Sequence, residues 1–237
     1  MGTFVLIHGG WHGGWCWRKL VPLLQRAGHR ALAPDLPGHG EDRTPVAARP
    51  WERYVPSVCD LLDAQEEPVI LVGHSSGGMI ISEVAARRPA RVRTLVYLAA
   101  FLLPPGLTPP QIMQDDAETL LPGALVMDKA AQTVSIDPAK ARQLFYADCS
   151  DADAAWALSR LQPEPLVSPG EQTTPSSAPA AVARVYVETL HDRALGPAMQ
   201  KRMYAALPCE RIFTLATDHS PFISAPEALA QCLLALV

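Results

Sequence analysis

The stretch Val69-Ile70-Leu71-Val72-Gly73-His74-Ser75-Ser76-Gly77-Gly78-Met79-Ile80 decides the fold, because an apolar strand, a tight turn and the start of a helix follow one another in it. Its centre reads G-x-S-x-G. A serine lifted above a strand end needs a strained strand-to-helix turn, and the crowded backbone there accepts only small residues on either side. Ser75 occupies the lifted position. A serine in a glycine turn can also do no more than cap the helix behind it. With strand and helix both in place, the nucleophile is the better reading.

A serine hydroxyl attacks only when a base takes its proton, so a later loop must supply a histidine. His8, His12, His29, His39 and His74 precede Ser75, and the order nucleophile, acid, histidine leaves His191 and His219. His219 follows the apolar run Arg211 to Ala216 and precedes the last helical stretch, at the sheet edge where parallel strands all end. The acid that orients the imidazole usually sits on the loop after the preceding strand. In Thr189-Leu190-His191-Asp192-Arg193 that residue is Asp192. Glu188 competes, but alternation leaves it inside the strand. Asp218 adjoins His219 too closely to face it, and the loop after Leu98 carries no carboxylate.

Acyl transfer builds negative charge on a carbonyl oxygen, and backbone N–H groups aimed there stabilise it. The residue after the nucleophile, Ser76, supplies one donor. The second belongs to the loop His8-Gly9-Gly10-Trp11-His12-Gly13-Gly14-Trp15 behind the first strand. Gly10 is the choice, with Trp11 as the alternative one register away. The glycines there match neither dinucleotide nor phosphate-loop spacing. The turn Asp35-Leu36-Pro37-Gly38-His39-Gly40 is assigned to shape rather than chemistry.

Around these motifs the first half alternates apolar runs (Thr3 to Ile7, Arg30 to Ala33, Val69 to Val72, Arg93 to Leu98) with helical spacing over Trp15 to Ala27, Trp51 to Ala64 and Ser76 to Arg88. This is the rhythm of a mostly parallel sheet flanked by helices, an α/β fold. Strand character returns at Arg184 to Thr189 and Arg211 to Ala216, with a final helix over Pro226 to Leu236. Residues 104 to 180 hold nearly half of the 23 prolines and read as a cap or lid of short helices inserted into a single domain spanning 1 to 237.

These residues resemble the methylesterase and hydroxynitrile lyase branch of the α/β-hydrolase superfamily. The resemblance runs over Phe4-Val5-Leu6-Ile7-His8-Gly9-Gly10-Trp11-His12-Gly13-Gly14-Trp15-Cys16-Trp17, Ala33-Pro34-Asp35-Leu36-Pro37-Gly38-His39-Gly40, Gly73-His74-Ser75-Ser76-Gly77-Gly78, Asp192 and Asp218-His219. It implies the α/β-hydrolase fold and a triad of Ser75, Asp192 and His219. Plant lyases of that branch carry a threonine where Gly9 stands and a lysine where Ser220 stands, so the resemblance implies ester hydrolysis here.

The 237 residues, 49% hydrophobic and 19% charged, suit one globular domain. A net charge of −4 without a dense basic cluster argues against a nucleic-acid partner. Arg87, Arg88, Arg91 and Arg93 read as a solvated helix end. No apolar run suits a membrane span, and the absence of a signal-peptide pattern makes the cytoplasm the expected location. Cys16, Cys59, Cys149, Cys209 and Cys232 show no metal-ligand spacing, and neither metal nor cofactor is expected. The expected partner is a small, apolar or aromatic ester, bound by a monomer or homodimer. Its pocket draws on Trp11, Phe101, Leu125, Trp156 and Phe222, with Leu102, Leu103, Met113 and Phe145 as further candidates. A lyase, or a ligand receptor built on a hydrolase fold, is the competing reading.

Overall fold

A computed structural model describes residues 1–104, 106–166 and 181–237. Its first half contains β1 (Thr3–Ile7), α1 (Leu20–Arg26), β2 (Arg30–Leu32), α2 (Tyr54–Asp63), β3 (Val69–His74), α3 (Gly77–Arg87) and β4 (Val92–Leu98). The insertion contributes α4 (Pro109–Asp115), β5 (Leu125–Asp128), β6 (Thr133–Ile136), α5 (Pro138–Phe145), α6 (Asp151–Leu158) and β7 (Glu164–Pro165). The chain then returns through β8 (Ala183–Thr189), α7 (Pro197–Ala206), β9 (Arg211–Leu215), α8 (Pro221–Ser224) and α9 (Pro226–Leu234).

The six-stranded sheet runs β2-β1-β3-β4-β8-β9 and every pairing in it is parallel. Both faces are covered, which explains the unbroken apolar runs. Alternation along β1 and β3 sends Phe4, Leu6, Ile70 and Val72 into one core with Trp17, Leu20 and Phe222. Val5, Ile7, Val69 and Leu71 enter the other, against Val58, Leu62 and Ile81. Each such side chain, fully buried, contributes about 1.5–3 kcal/mol relative to an exposed position.

Two helices start later than their periodicity suggests. Trp15 to Ala27 divides into a 3-10 turn at Gly14–Arg18 and α1, and Trp51 to Ala64 into a 3-10 turn at Pro50–Arg53 and α2. Pro22 and Pro56 are the cause: a proline has no N–H for the carbonyl four residues back, so the α-helical ladder must begin anew around it.

The cap is not helical alone. β5, β6 and β7 form an antiparallel three-stranded sheet within it. The connection between β5 and β6 carries no Asn-Gly or Asp-Gly signal. It is closed by Asp128, whose Oδ1 accepts from the N–H groups of Ala130 and Ala131, and by Gln132 at φ +54°. The far end of the expected insertion, 167–180, and residue 105 lie outside the described residues.

The arginine cluster is solvated, as expected of a helix end, and paired with neighbouring carboxylates at the surface. Arg87 pairs with Glu83, while Arg88 and Arg91 both reach Asp63 at the end of α2. Among the described residues no helix is long and apolar enough to cross a membrane.

The sheet and α3 approach each other closely at Gly77. A Cβ there would lie 2.9 Å from the carbonyl oxygen of His8 and 3.0 Å from that of Ile7, both immovable backbone. Gly77→Ala should therefore destabilise the fold by about 2 kcal/mol, as overpacked cores do. In thermal melts this should appear as a fall in Tm of roughly 4–8 °C. An unchanged Tm would show that β1 and α3 are not locked together.

Candidate active site

Between the end of β3 and the first residue of α3, Ser75 takes a left-handed backbone at φ +53°. That conformation costs a serine about 1–3 kcal/mol and persists only where the surroundings over-determine it. They do. Ser75 N–H donates to Leu98 O at 3.2 Å, and Ser75 O accepts from the N–H groups of Gly78 and Phe101, each at 3.0 Å. A Cβ at Gly73 would meet Gly77 O at 2.6 Å, and one at Gly78 would meet Phe101 O at 2.5 Å. Only glycines let the strand, the turn and the helix close up so far.

His219 lies on the loop between β9 and α8. Its Nδ1 is 2.7 Å from Asp192 Oδ2, and both side chains are buried, at 1% and 0% exposure. Asp192 is fixed from every side. Oδ2 also accepts from Thr189 Oγ1 at 2.9 Å and Gln200 Nε2 at 3.1 Å, and Oδ1 accepts from the N–H groups of Ala194 at 2.8 Å and Leu195 at 2.9 Å. An acid so supplied with donors acts as an acceptor toward His219, which assigns the imidazole proton to Nδ1 and leaves Nε2 basic. The backbone of the base is tied to the turn itself: His74 Nε2 donates to His219 O at 2.9 Å, and the two rings lie 4.4 Å apart.

The other acids and the other histidine are engaged elsewhere. Glu188 binds Tyr204 and Thr214 within the strand layer. Asp218 accepts from Asp148 N, Ser220 N and Ser224 Oγ, closing the turn beneath His219. His191 is exposed and pairs with Asp148.

The loop after β1 presses directly on Ser75, since a Cβ at Gly9 would stand 2.7 Å from Ser75 Cβ. Its two candidate donors differ. Trp11 N–H is occupied by Glu164 Oε1 at 2.7 Å, whereas the N–H groups of Gly10 and Ser76 have no hydrogen-bond partner among the described residues. Unpaired backbone donors of this kind, where they converge beside a nucleophile, are what acyl transfer requires for its oxyanion.

The electrostatic surroundings are of two kinds. Burial, with the neighbouring imidazoles adding to it, holds His8 down to about 4 and His12 to about 3, and holds His74 well below the ordinary range. These rings are neutral. His39 is the exception: burial works against its charge, but the Glu164 carboxylate 2.7 Å away outweighs it and holds the imidazole above its ordinary value. Among the described residues no group of three or more His, Cys, Asp or Glu could hold a metal ion.

Residues 4–232 match the family described as the Alpha/beta hydrolase family. The chain belongs to that family. Methylesterase 17 of Arabidopsis thaliana is 30% identical over 98% of this chain and 90% of its own length. The Pyrethroid hydrolase of Sphingobium wenxiniae is 31% identical over 97% of this chain and 85% of its own. The crystal structure of an Arabidopsis methylesterase superposes with a TM-score of 0.81 at 27% identity, covering 99% of this chain and 98% of that one.

Of the pocket residues expected from the sequence of this α/β hydrolase, Trp11 is the one on the loop after β1, with its ring 5.9 Å from Phe145. Phe145 in turn stacks on His219 at 5.7 Å. Phe222 is fully buried beneath the base, against Trp17 and His74. Phe101 belongs to the core on the α3 side, and Leu125 packs from β5 onto the opposite core. Trp156 packs edge-on against Trp15, with the guanidinium groups of Arg18 and Arg160 over its ring at 3.6 and 4.1 Å. Sequence reasoning missed His74, Gln200 and Glu164. The position of His74 inside the G-x-S motif was a usable signal, whereas Gln200 sits in α7 and Glu164 in the two-residue strand β7 without one.

The neutral imidazoles set an acid limit on the fold. An unfolded histidine takes up its proton near 6.5, while folded His8 and His12 wait until about 4 and about 3. The stability they confer is complete above pH 6.5 and is lost as pH falls toward the folded values, at ~1.4 kcal/mol per pH unit for each proton taken up on unfolding. His39, raised by Glu164, works in the opposite sense and offsets part of this. Urea melts at about pH 7 and about pH 5 should show a clearly lower midpoint in acid. An unchanged midpoint would mean that these rings are charged in the fold.

Proposed function

We propose that the protein is a serine hydrolase of carboxylic esters, acting through an acyl-enzyme on Ser75. The observation that carries this reading is the buried His219–Asp192 pair, joined by His74 to the turn that holds Ser75 in a left-handed backbone. Ser75 Oγ attacks the ester carbonyl carbon as His219 Nε2 takes its proton, and the C=O electron pair moves onto oxygen. The N–H groups of Gly10 and Ser76 hold that oxyanion. On collapse the C–O bond to the alcohol breaks and His219 returns the proton to the departing oxygen. Water then repeats the sequence against the acyl-enzyme and releases the acid. Asp192 keeps the imidazole in its Nδ1–H form and stabilises its charged state throughout.

The family membership, and the methylesterase and pyrethroid hydrolase names among the relatives, support an ester as substrate. Phe145 stacked on His219, with Trp11 against Phe145, favours a small apolar or aromatic one. A cyanohydrin lyase is disfavoured on two counts. The threonine of plant lyases would place a Cβ at Gly9, 2.7 Å from Ser75 Cβ and 2.9 Å from His74 Nδ1. Where those lyases have lysine, Ser220 is fully buried and offers no cation for a departing cyanide.

Ser75→Ala should abolish turnover of a p-nitrophenyl ester, and a serine-directed phosphonate should label Ser75 in the wild type. Label on another residue would move the nucleophile. Asp192→Asn should fold normally by circular dichroism yet lose ~10³–10⁴ in rate, since an amide favours the wrong tautomer. Glu188→Gln should lose far less, because its carboxylate serves the strand layer. The reverse ranking would move the acid. Chelation with EDTA should leave the rate intact, and loss restored by a divalent ion would replace this mechanism with a metal-dependent one.

A further inference from the structure

Trp11 is held in a left-handed backbone at φ +62°, a region bulky side chains avoid. All of its polar groups are gripped by residues of the cap. Its N–H donates to Glu164 Oε1 at 2.7 Å, its carbonyl accepts from Gln162 N at 2.9 Å, and its indole Nε1 donates to Val134 O at 3.0 Å. The same Glu164 oxygen lies 2.7 Å from His39 Nε2, on the loop after β2. On the other side of the loop, Gly10 O accepts from His12 Nδ1 at 2.7 Å, and Tyr146 Oη donates to His12 Nε2 at 2.7 Å. The Gly10–Trp11 peptide is thus pinned at both its atoms and Gly9 O accepts from His8 Nδ1 at 2.9 Å, while the Gly10 N–H has no partner among the described residues.

We propose that Glu164 is a positioning residue of the oxyanion hole: clamped by His39, it holds Trp11 in its left-handed backbone and so fixes the direction of the Gly10 N–H. The proposal rests on the hydrolytic role given above to Ser75. Released from Glu164, Trp11 relaxes toward an ordinary negative φ, and that rotation moves the Gly10–Trp11 peptide and, through Gly10 Cα, turns the Gly9–Gly10 peptide with its N–H away from the acyl oxygen. His39 has a second task. A bare carboxylate next to the hole would oppose the developing oxyanion, and the imidazolium cancels it.

The groups facing the pair are few. His8, its ring 5.3 Å from His39, is kept neutral by burial, with Nε2 accepting from Leu36 N. Tyr54 Oη reaches His39 Nδ1 at 3.4 Å from α2, and burial pushes that phenol up, so it stays uncharged. Asp35 lies in the same loop as His39, accepting from Gly14 N and Glu41 N. His12 feels Glu164 across the loop and is neutral. Burial pushes the Glu164 carboxyl up, yet the His39 charge and the bonds from His39 and Trp11 bring it below its ordinary value. The pair is therefore intact between the lowered value of Glu164 and the raised value of His39. It is lost as pH rises through the latter.

The test uses the full chain as wild type, Glu164→Gln and Glu164→Ala, each confirmed folded by circular dichroism, with two readouts. In NMR titrations the Gly10 amide shift of the wild type should follow the His39 ring, and Glu164→Gln should lower the His39 titration and break the coupling. With p-nitrophenyl acetate, Glu164→Ala should lose roughly 10- to 100-fold in kcat with KM little changed, a fraction of the loss on deleting an oxyanion donor. Glu164→Gln, which keeps an acceptor for Trp11 N–H, should recover part of that rate but lack the alkaline fall in kcat seen in the wild type. A wild-type kcat and alkaline limb in either variant, or a Gly10 amide indifferent to His39, would overturn the proposal. Coupled titrations in a wild type that turns over no ester would support the clamp and refute the hydrolase reading instead. Should Glu164→Ala not fold, the alkaline limb of Glu164→Gln decides.

Discussion

The left-handed turn at Ser75 survives because separate stretches of chain crowd around it at distances that leave room for nothing but glycine. Gly73 and Gly77 touch across the turn, Gly9 lies against Ser75 Cβ, and Gly78 sits under Phe101 O. The hydrogen bonds from Ser75 to Leu98, Gly78 and Phe101 then tie the turn to β4 and its loop. Since β9 delivers His219 to His74, the residue before Ser75, the base is registered against the same point. Every part of the site is thus referenced to one strained peptide, and strain of this kind is stable only when many contacts oppose its release.

The charges around that peptide are arranged by exclusion as much as by attraction. His8, His12 and His74 crowd one another and His219, and burial keeps the first three neutral. Asp192 stands against His219 at 2.7 Å, and both side chains are buried. The second charged pair, His39 with Glu164, lies at the opposite edge of the site. Asp35 adds a second, weaker pull on the His39 charge there.

The cap docks on this arrangement through polar contacts at the oxyanion loop and aromatic ones at the base. Val134, Tyr146, Gln162 and Glu164 hold Trp11 and His12, and Phe145 covers His219. Farther out, Arg18 and Lys19 reach Asp153, and Trp156 is covered by Arg18 and Arg160, which fastens α6 to the region before α1. The segment between β4 and β8 of this α/β hydrolase therefore fixes the backbone of the loop after β1.

What the sequence by itself determined is what local rules govern. Apolar runs without polar interruption require strands covered on both faces, G-x-S-x-G requires the turn, and the order of Ser75, Asp192 and His219 along parallel strands brings them to one sheet edge. What only the tertiary structure decided is what depends on contacts between distant segments. Nothing in Gly10-Trp11 says which N–H is left unpaired; that follows from a carboxylate 153 residues away at Glu164. The two-residue strand β7 that carries it is too short to have a period, and the β5–β6 turn closes on Asp128 without a glycine signal. Trp156 reads as a pocket wall by composition, yet its ring is capped by arginines from Arg18 and Arg160, because an aromatic face attracts a cation as readily as it lines a cavity. Spacing encodes which face of an element is apolar, while the partner that arrives at that face is fixed only when the whole chain has closed.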